Sequence, residues 1–505
     1  MPYAVGLQAA ASALLHAGFP TQFTLAIVIF LLIMQVISCF EQEQPDAPMT
    51  LPGHSLSAIH PFFRRRFDFL NWGFHATGQS VFQFHLLRNQ VIVVSGERAR
   101  ETFFAARGLD LEQGFKILSG ALPTLKGVTS DLQNKARNII YKRLATVQRN
   151  TSLSDLIPAI LEDSRRIMEG WGSGGSFDPF EKVYELIFQT TVRSLTCSEI
   201  ADDPAIVARL KVLYDKLDHG TTPATVLLPW LPTPAMLKKL WATKQIYDIV
   251  ARAIATREQS GVPQNDTLQM LLDSKDDKLI IVGFIMGLLI AGARATGTTA
   301  SWLITFLGAN PEWRAKALLE VQTLLSNYPL SRPTPYSSTS AHLATIPLEA
   351  WEAEMPVLDS LIRETLRIAQ PHSAMRRNLG PDLYIENKRV PTGSYVIYPF
   401  SDVHLDPELY PDPWKFDPSR PVDTKTPFGY VGWGGGKTTC LGTRLAKLEL
   451  KMVSSLFLLG FQHHIVDLNG KVADVAPKPD WNDIHMCRPA KGSCYVKYEK
   501  LETQL

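Results

Sequence analysis

Leu279 to Ala293 is a 15-residue run without a charged or polar side chain, and it constrains the fold more than any other stretch. The run is too short, and too sharply ended by Arg294, to be a membrane span. A helix apolar on every side must be wrapped by other elements in the core of a large domain. The pattern predicts that this helix continues to Leu307 and stops at Gly308-Ala309-Asn310-Pro311. Gly292 and Gly297 inside it each cost about 1 kcal/mol relative to alanine, so something is expected to pack against the backbone there. A chain of 505 residues, 45 % hydrophobic and 20 % charged, has an ordinary globular composition and can bury such a helix. The formal net charge of +2 gives no electrostatic case for a nucleic-acid partner.

A second apolar run has a different meaning. Phe23 to Phe40 holds 18 residues without charge, about 27 Å as a helix, near the thickness of a thin bilayer. Residues 1–22 contain no Lys or Arg, which argues against a cleaved signal peptide and for a retained anchor. Arg64-Arg65-Arg66 follow on the C-terminal side, so that side is expected to face the cytoplasm. The domain organisation expected is a tail (1–22), a transmembrane anchor (23–40), a proline-containing linker (41–60) and one catalytic domain (61–505).

Within that domain, residues 61–78 read as an amphipathic helix. Ser80–Leu87 and Val91–Ser95 read as strands around the turn Arg88-Asn89-Gln90. Helical patterns dominate from Gly96 to about residue 325, a Ser/Thr/Pro-rich loop covers Ser326–Ile346, and a helix begins near Pro356. Shorter strands are expected near 383–398, and Pro407 to Gly436 is mostly irregular. The fold class expected is mainly α with a small β-sheet edge.

The five cysteines are scattered and form no C-x-x-C pair, which fits a reducing, cytosol-facing compartment. One stands apart. Trp433-Gly434-Gly435-Gly436-Lys437-Thr438-Thr439-Cys440-Leu441-Gly442 places a single cysteine in a glycine-rich loop directly before a helix-forming run. Glycines let the backbone pass close to a flat ligand, and a thiolate held there can ligate haem iron axially. A free cysteine in a surface turn is the plain alternative. Upstream, Glu364 and Arg367 stand at i, i+3 within a helical pattern and can pair. Phe416-Asp417-Pro418-Ser419-Arg420 supplies a second arginine in a proline-stiffened loop, as a buried Glu–Arg–Arg cluster would need.

With E-x-x-R, F-x-P-x-R and the cysteine loop in this order and spacing, the chain resembles the membrane-bound cytochromes P-450, the haem-thiolate monooxygenases, over roughly residues 41–500. The resemblance implies the cytochrome P-450 fold with an N-terminal transmembrane helix. It implies b-type haem with Cys440 as the proximal iron ligand, and a Glu364–Arg367–Arg420 cluster that fixes the cysteine loop. It also implies O2 as oxidant and electrons drawn from NADPH through a separate cytochrome P-450 reductase. The expected place is the endoplasmic-reticulum membrane, as a single-pass monomer with a cytosolic catalytic domain.

Three positions depart from the family pattern. The aromatic seven residues before the cysteine is Trp433 rather than Phe. The family's Arg or His two residues before the cysteine is Thr438, which leaves Arg376 and Lys437 as candidates for a haem propionate. The oxygen-binding helix, often A-G-x-[D/E]-T, reads Ala291-Gly292-Ala293-Arg294-Ala295-Thr296. The acid position is Arg294, the hydroxyl position is Ala295, and Thr296 becomes the expected proton-relay hydroxyl. The alternative is that Thr296 merely satisfies a carbonyl one turn back.

Arg444, Lys447 and Lys451 stand at i, i+3, i+7 and share one helix face, expected to dock the acidic reductase. The alternative is an ordinary solvated face. Thr221–Trp241, apolar and proline-rich, is expected to roof the substrate entrance at the membrane surface and to admit a lipophilic small molecule, such as a terpenoid or sterol-like metabolite of fungal secondary metabolism. A haem-thiolate isomerase or dehydratase, or a non-catalytic haem-binding protein, are the rival readings.

Overall fold

A computed structural model describes residues 45–119, 136–330, 338–473 and 475–501. The expected anchor at 23–40 lies outside them. The longer helices are α1 (Ser55–Arg64), α2 (Arg66–Thr77), α3 (Glu97–Ala105), α4 (Leu111–Ser119), α5 (Ala136–Val147), α6 (Asn150–Glu169), α7 (Pro179–Leu195), α8 (Pro204–His219), α9 (Pro234–Ser260), α10 (Lys278–Ala309), α11 (Pro311–Asn327), α12 (Pro356–Ile368) and α13 (Thr443–Gly460). Strands are β1 (Met49–Thr50), β2 (Val81–Leu86), β3 (Asn89–Val94), β4 (Leu109–Asp110), β5 (Gly174–Phe177), β6 (Ser373–Asn378), β7 (Leu383–Ile385), β8 (Lys388–Val390), β9 (Tyr395–Pro399), β10 (Phe461–Val466) and β11 (Tyr495–Lys500). The architecture is mainly helical with small sheets, as the sequence pattern predicts.

Local chemistry sets the helix starts. Asp178, Asp203, Thr233 and Asp277 cap α7, α8, α9 and α10 with side-chain oxygens, and proline opens the first three. The expected helix over 61–78 is instead two helices, because the chain leaves helical geometry at Arg65 (φ −139°, ψ 53°). The first hairpin turns at Leu87-Arg88, with Leu87 at φ 56°, so β3 starts at Asn89 rather than Val91. The strand at Ser373–Asn378 was not anticipated.

The main sheet has the order β1-β2-β3-β9-β6-β4, mostly buried. β10, β11 and β5 form a second sheet, and β7 and β8 a hairpin. Helix α10 runs through the helical core, with Trp302 and Phe306 fully covered and Phe306 stacked on Phe416 at 4.3 Å. Its glycines answer to α7. A Cβ on Gly297 would meet the Tyr184 ring at 2.6 Å, and one on Gly292 would meet Leu195 and Thr191 at 3.3 and 3.4 Å. The close approach expected on α10 is therefore helix against helix. At the opposite edge of the core, Gly114 of α4 lies against the backbone of Arg376, where a Cβ would land 2.3 Å from its Cα.

Candidate active site

The site begins at the C-terminal half of α12. Glu364 and Arg367, one turn apart, are almost completely buried. Arg367 grips Glu364 with two parallel bonds of 2.8 and 2.7 Å, and Arg420 adds Nε to Glu364 Oε1 at 3.1 Å. The remaining guanidinium donors are spent on backbone: Arg367 on His404 O and Pro413 O, Arg420 on Pro411 O and Asp412 O. Ion pairs this deep are tolerable because all five donors of Arg367 and four of Arg420 are used. The three residues thus pin the irregular segment 404–420 to α12.

That segment carries the tension on to the cysteine loop. His404 accepts the Val431 N–H at Nε2 (3.1 Å), and burial pushes its pKa down to about 3, so its ring is neutral. Gln370 donates to Gly432 O, and Tyr430 to Arg363 O. Two residues further, Trp433 O accepts the Cys440 N–H at 2.6 Å and closes the loop. Gly434 and Gly436 sit at φ 74° and 56°, and a Cβ on Gly436 would strike Phe104 O at 2.4 Å. Only glycine fits there. Trp433 is half-buried against the main core. Cys440 is exposed, with Gly442 beside its sulfur and α13 starting at Thr443. Lys437 is exposed in the same loop.

Arg376, on β6, is buried and reaches the loop from the sheet. Its Nη2 donates to Thr438 Oγ1 at 2.6 Å and Nη1 to Met375 O at 2.9 Å, over the Phe103 ring. Burial lowers its pKa to about 10, so it remains a cation at neutral pH. A second buried cation, Arg100 of α3, was missed in the sequence, where it lies in an unremarkable charged run. It donates to Pro427 O and pairs with Asp402 at 3.7 Å.

On α10, Ala291 and Ala295 are exposed although most of their neighbours are buried. Four residues apart, they define a bare stripe on an otherwise covered helix. Thr296 is not on it. One residue after Ala295 it projects about 100° away, toward the side where Ala293 and Ala300 are buried and where Gly292 and Gly297 admit α7. Thr299 donates to Ala295 O, the carbonyl one turn before it, at 2.8 Å. Thr298, three residues beyond Ala295, is buried with its hydroxyl lacking a hydrogen-bond partner among the described residues. Arg294 pairs with Asp218 of α8.

On the α13 face expected to dock a reductase, Lys451 is turned inward, while Arg444 and Lys447 are half-buried and ion-paired. Lys451 is 2 % exposed and donates to Trp351 O and Asp359. Lys447 pairs with Asp359 at 3.1 Å, and Arg444 with Glu352 and Asn150. Sharing a face is correct for the spacing, but Glu352 and Asp359 neutralise that face and tie α13 to its neighbours. Lys437 in the loop is exposed, as are Arg149, next to Gln148, and Lys142 on α5.

These residues fit a flat macrocycle with an axial sulfur ligand. A cysteine stands free on a glycine backbone that cannot take side chains, a buried arginine is tied to the same loop, and α10 offers a stripe of methyl groups.

Comparison with known proteins agrees. The chain belongs to the cytochrome P-450 family, whose model matches residues 72–478. It is 28 % identical over 448 residues to the cytochrome P-450 monooxygenase AacuE of Aspergillus aculeatus, covering 85 % of this chain and 88 % of that one. The cytochrome P-450 monooxygenase dmxR5 of Cryptosporiopsis sp. is 28 % identical over 466 residues, covering 89 % and 90 %. Human lanosterol 14-alpha demethylase is 27 % identical over 435 residues, covering 83 % and 81 %. Among solved structures, retinoic-acid-bound cyanobacterial CYP120A1 superposes with a TM-score of 0.67 at 23 % identity, over 90 % of this chain and 99 % of that one, which shows the shared fold.

Proposed function

We propose that this cytochrome P-450 is a membrane-anchored monooxygenase that oxidises a lipophilic small molecule with O2. Electrons come from NADPH through a separate reductase. The observation that carries the reading is the chain of bonds from the buried Glu364–Arg367–Arg420 cluster through His404 and Val431 to Cys440. Cys440 is the residue that holds b-type haem by its iron, and Arg376 is the cation for a propionate, with Trp433 and Lys437 flanking the loop. When bound, a haem with a thiolate ligand supplies oxygen activation, because the sulfur's electron density favours O–O cleavage.

The chain's own residues supply position and protons. The alanine stripe of α10 leaves space for substrate and excludes polar competition. Thr296 is the hydroxyl we assign to the relay, from its place beside Ala295 on the oxygen-binding helix, while Thr298 Oγ1 is sealed in the core without a partner among the described residues. Trp230 and Leu231 are exposed on the segment between α8 and α9, Leu237 and Trp241 on the first turns of α9, and Trp72 on α2. Such a surface suits a membrane-side entrance for a substrate drawn from the bilayer. The reading places the protein in the endoplasmic-reticulum membrane as a monomer acting on a terpenoid or sterol-like substrate, and the name of one relative, lanosterol 14-alpha demethylase, supports the sterol class.

Arg294 and Ala295 at the acid and hydroxyl positions favour a second reading, a haem-thiolate isomerase or dehydratase that rearranges a peroxide without external electrons. Turnover of a candidate substrate with NADPH and reductase, against turnover of a peroxide alone, separates the two. Product only from the peroxide would overturn the monooxygenase.

A further inference from the structure

The helix that follows the cysteine lacks a cap of its own. Gly442 is the N-cap residue of α13 and has no side chain to satisfy the first N–H groups of the helix. Gln148, in the two-residue link between α5 and α6, stands in for it. Its Oε1 accepts the Leu445 N–H at 3.3 Å, the bond an N-cap side chain ordinarily accepts. Its Nε2 donates to Leu441 O, the carbonyl immediately after Cys440. Its own carbonyl accepts Arg444 Nη1 at 2.9 Å. One residue therefore takes hold of Leu441, Arg444 and Leu445, although almost 300 residues separate it from them in sequence.

We infer that Gln148 is a positioning residue that sets the electron density of the Cys440 thiolate, an inference that rests on the haem-thiolate reading above. The described chain contains no cis peptide. In a trans peptide the C=O and N–H point in opposite directions. Fixing Leu441 O on Gln148 therefore fixes the Gly442 N–H on the side away from Gln148. Gly442 is the residue against the sulfur: a Cβ built on it lies 3.9 Å from Cys440 Sγ. Capping Leu445 also keeps the first turn of α13 closed, and that turn carries the positive end of the helix dipole next to the cysteine. The positive end of the dipole, held beside the cysteine, draws electron density from the sulfur, and groups around a ligating atom tune the metal in this way.

Two variants separate the donor from the acceptor half of the side chain. Gln148→Glu keeps an acceptor for Leu445 N–H and sets an oxygen against Leu441 O. Gln148→Ala removes both bonds. In each, the haem reduction potential, the Fe–S stretch by resonance Raman and the pH at which the reduced, CO-bound protein converts from its thiolate to its thiol band are measured. A richer, more basic sulfur should lower the potential and move the conversion to higher pH in both variants, more in Gln148→Ala. Wild-type values of all three in either haem-loaded variant would overturn the inference. Loss of haem in both, with unchanged circular dichroism and Tm, would support it. The same loss with a collapsed Tm would reduce Gln148 to a fold support and overturn it. If wild-type protein itself shows no thiolate band, the Cys440 reading fails, and that result is distinct from any effect of Gln148.

Discussion

Arg376 Nη2 donates to Thr438 Oγ1 at 2.6 Å, so a buried cation of the main sheet is tied to the cysteine loop two residues before Cys440. Family relatives often carry an arginine or histidine at the Thr438 position. Here the loop supplies the acceptor and the sheet supplies the charge. Thr438→Val should leave a buried guanidinium donor without its partner, at about 1–3 kcal/mol. Arg376→Ala should go further and speed haem loss. Tm of the haem-loaded protein and the rate of haem transfer to apomyoglobin check both. An unchanged transfer rate in Arg376→Ala would remove it from the propionate role.

The Glu364 cluster should behave as one unit. Removing the carboxylate in Glu364→Ala strands two buried guanidiniums, at about 3–5 kcal/mol. Little haem-loaded protein should accumulate. Normal haem content at wild-type Tm would show that the loop at 404–420 does not depend on it.

The sequence shows these parts unequally, for physical reasons. The Glu364–Arg367 pair, the cysteine loop and the ends of α10 are local patterns of spacing, glycine and proline, so they could be read directly. The fate of Arg444, Lys447 and Lys451 could not. Periodicity shows that they share a face but not that Glu352 and Asp359, about 90 residues earlier, lie opposite. Thr296 is legible only as a motif position: one residue of offset from Ala295 turns its hydroxyl by about 100°, and periodicity does not say what then surrounds it. Gln148 and Arg100 carry no local signal at all, because their partners are hundreds of residues distant.

Glu449, on α13, gives a pH-dependent prediction. It is buried, its partners are the hydroxyls of Thr190 and Thr191 on α7, and burial raises its pKa to about 7 from 4.5. The folded state therefore holds this proton over a range in which the unfolded state has lost it. Stability falls as pH rises from about 4.5 to about 7 and is level above. A shift of that size corresponds to about 3 kcal/mol. Glu449→Gln should abolish that decline and raise stability at pH 8. The histidines run the other way: burial holds His463 at about 3, so stability should fall as pH drops below 6.5. Urea denaturation from pH 4 to 8 measures both slopes, and identical slopes in Glu449→Gln and wild type would contradict the assignment.

Reductase docking should depend on cations that solvent can reach. Charge reversal at Lys142 and Arg149, both exposed, should slow the first electron transfer and flatten its ionic-strength dependence. Peroxide-driven turnover should not change. Lys451→Glu should instead lose stability, since it faces Asp359 from inside the protein. Stopped-flow reduction at several salt concentrations distinguishes these outcomes. A larger salt effect from Lys451 than from Arg149 would restore the inward face to docking.

The relay hydroxyl gives the most direct test of α10. Ala291 and Ala295 mark the stripe, Thr296 follows Ala295 directly, and Thr298 lies three residues beyond Ala295 with its hydroxyl sealed and unpartnered among the described residues. A hydroxyl within reach of the reacting atoms, passing a proton along α10, contributes typically 10²–10⁴-fold. Thr296→Val should bind substrate and accept electrons normally, yet release hydrogen peroxide in place of product. Thr298→Val keeps the shape of a buried side chain and should leave the ratio of product to NADPH consumed near wild type. The reverse pattern, with Thr298→Val uncoupled and Thr296→Val coupled, would move the relay to Thr298. Full coupling in both would assign the proton to water or to a hydroxyl of the substrate itself.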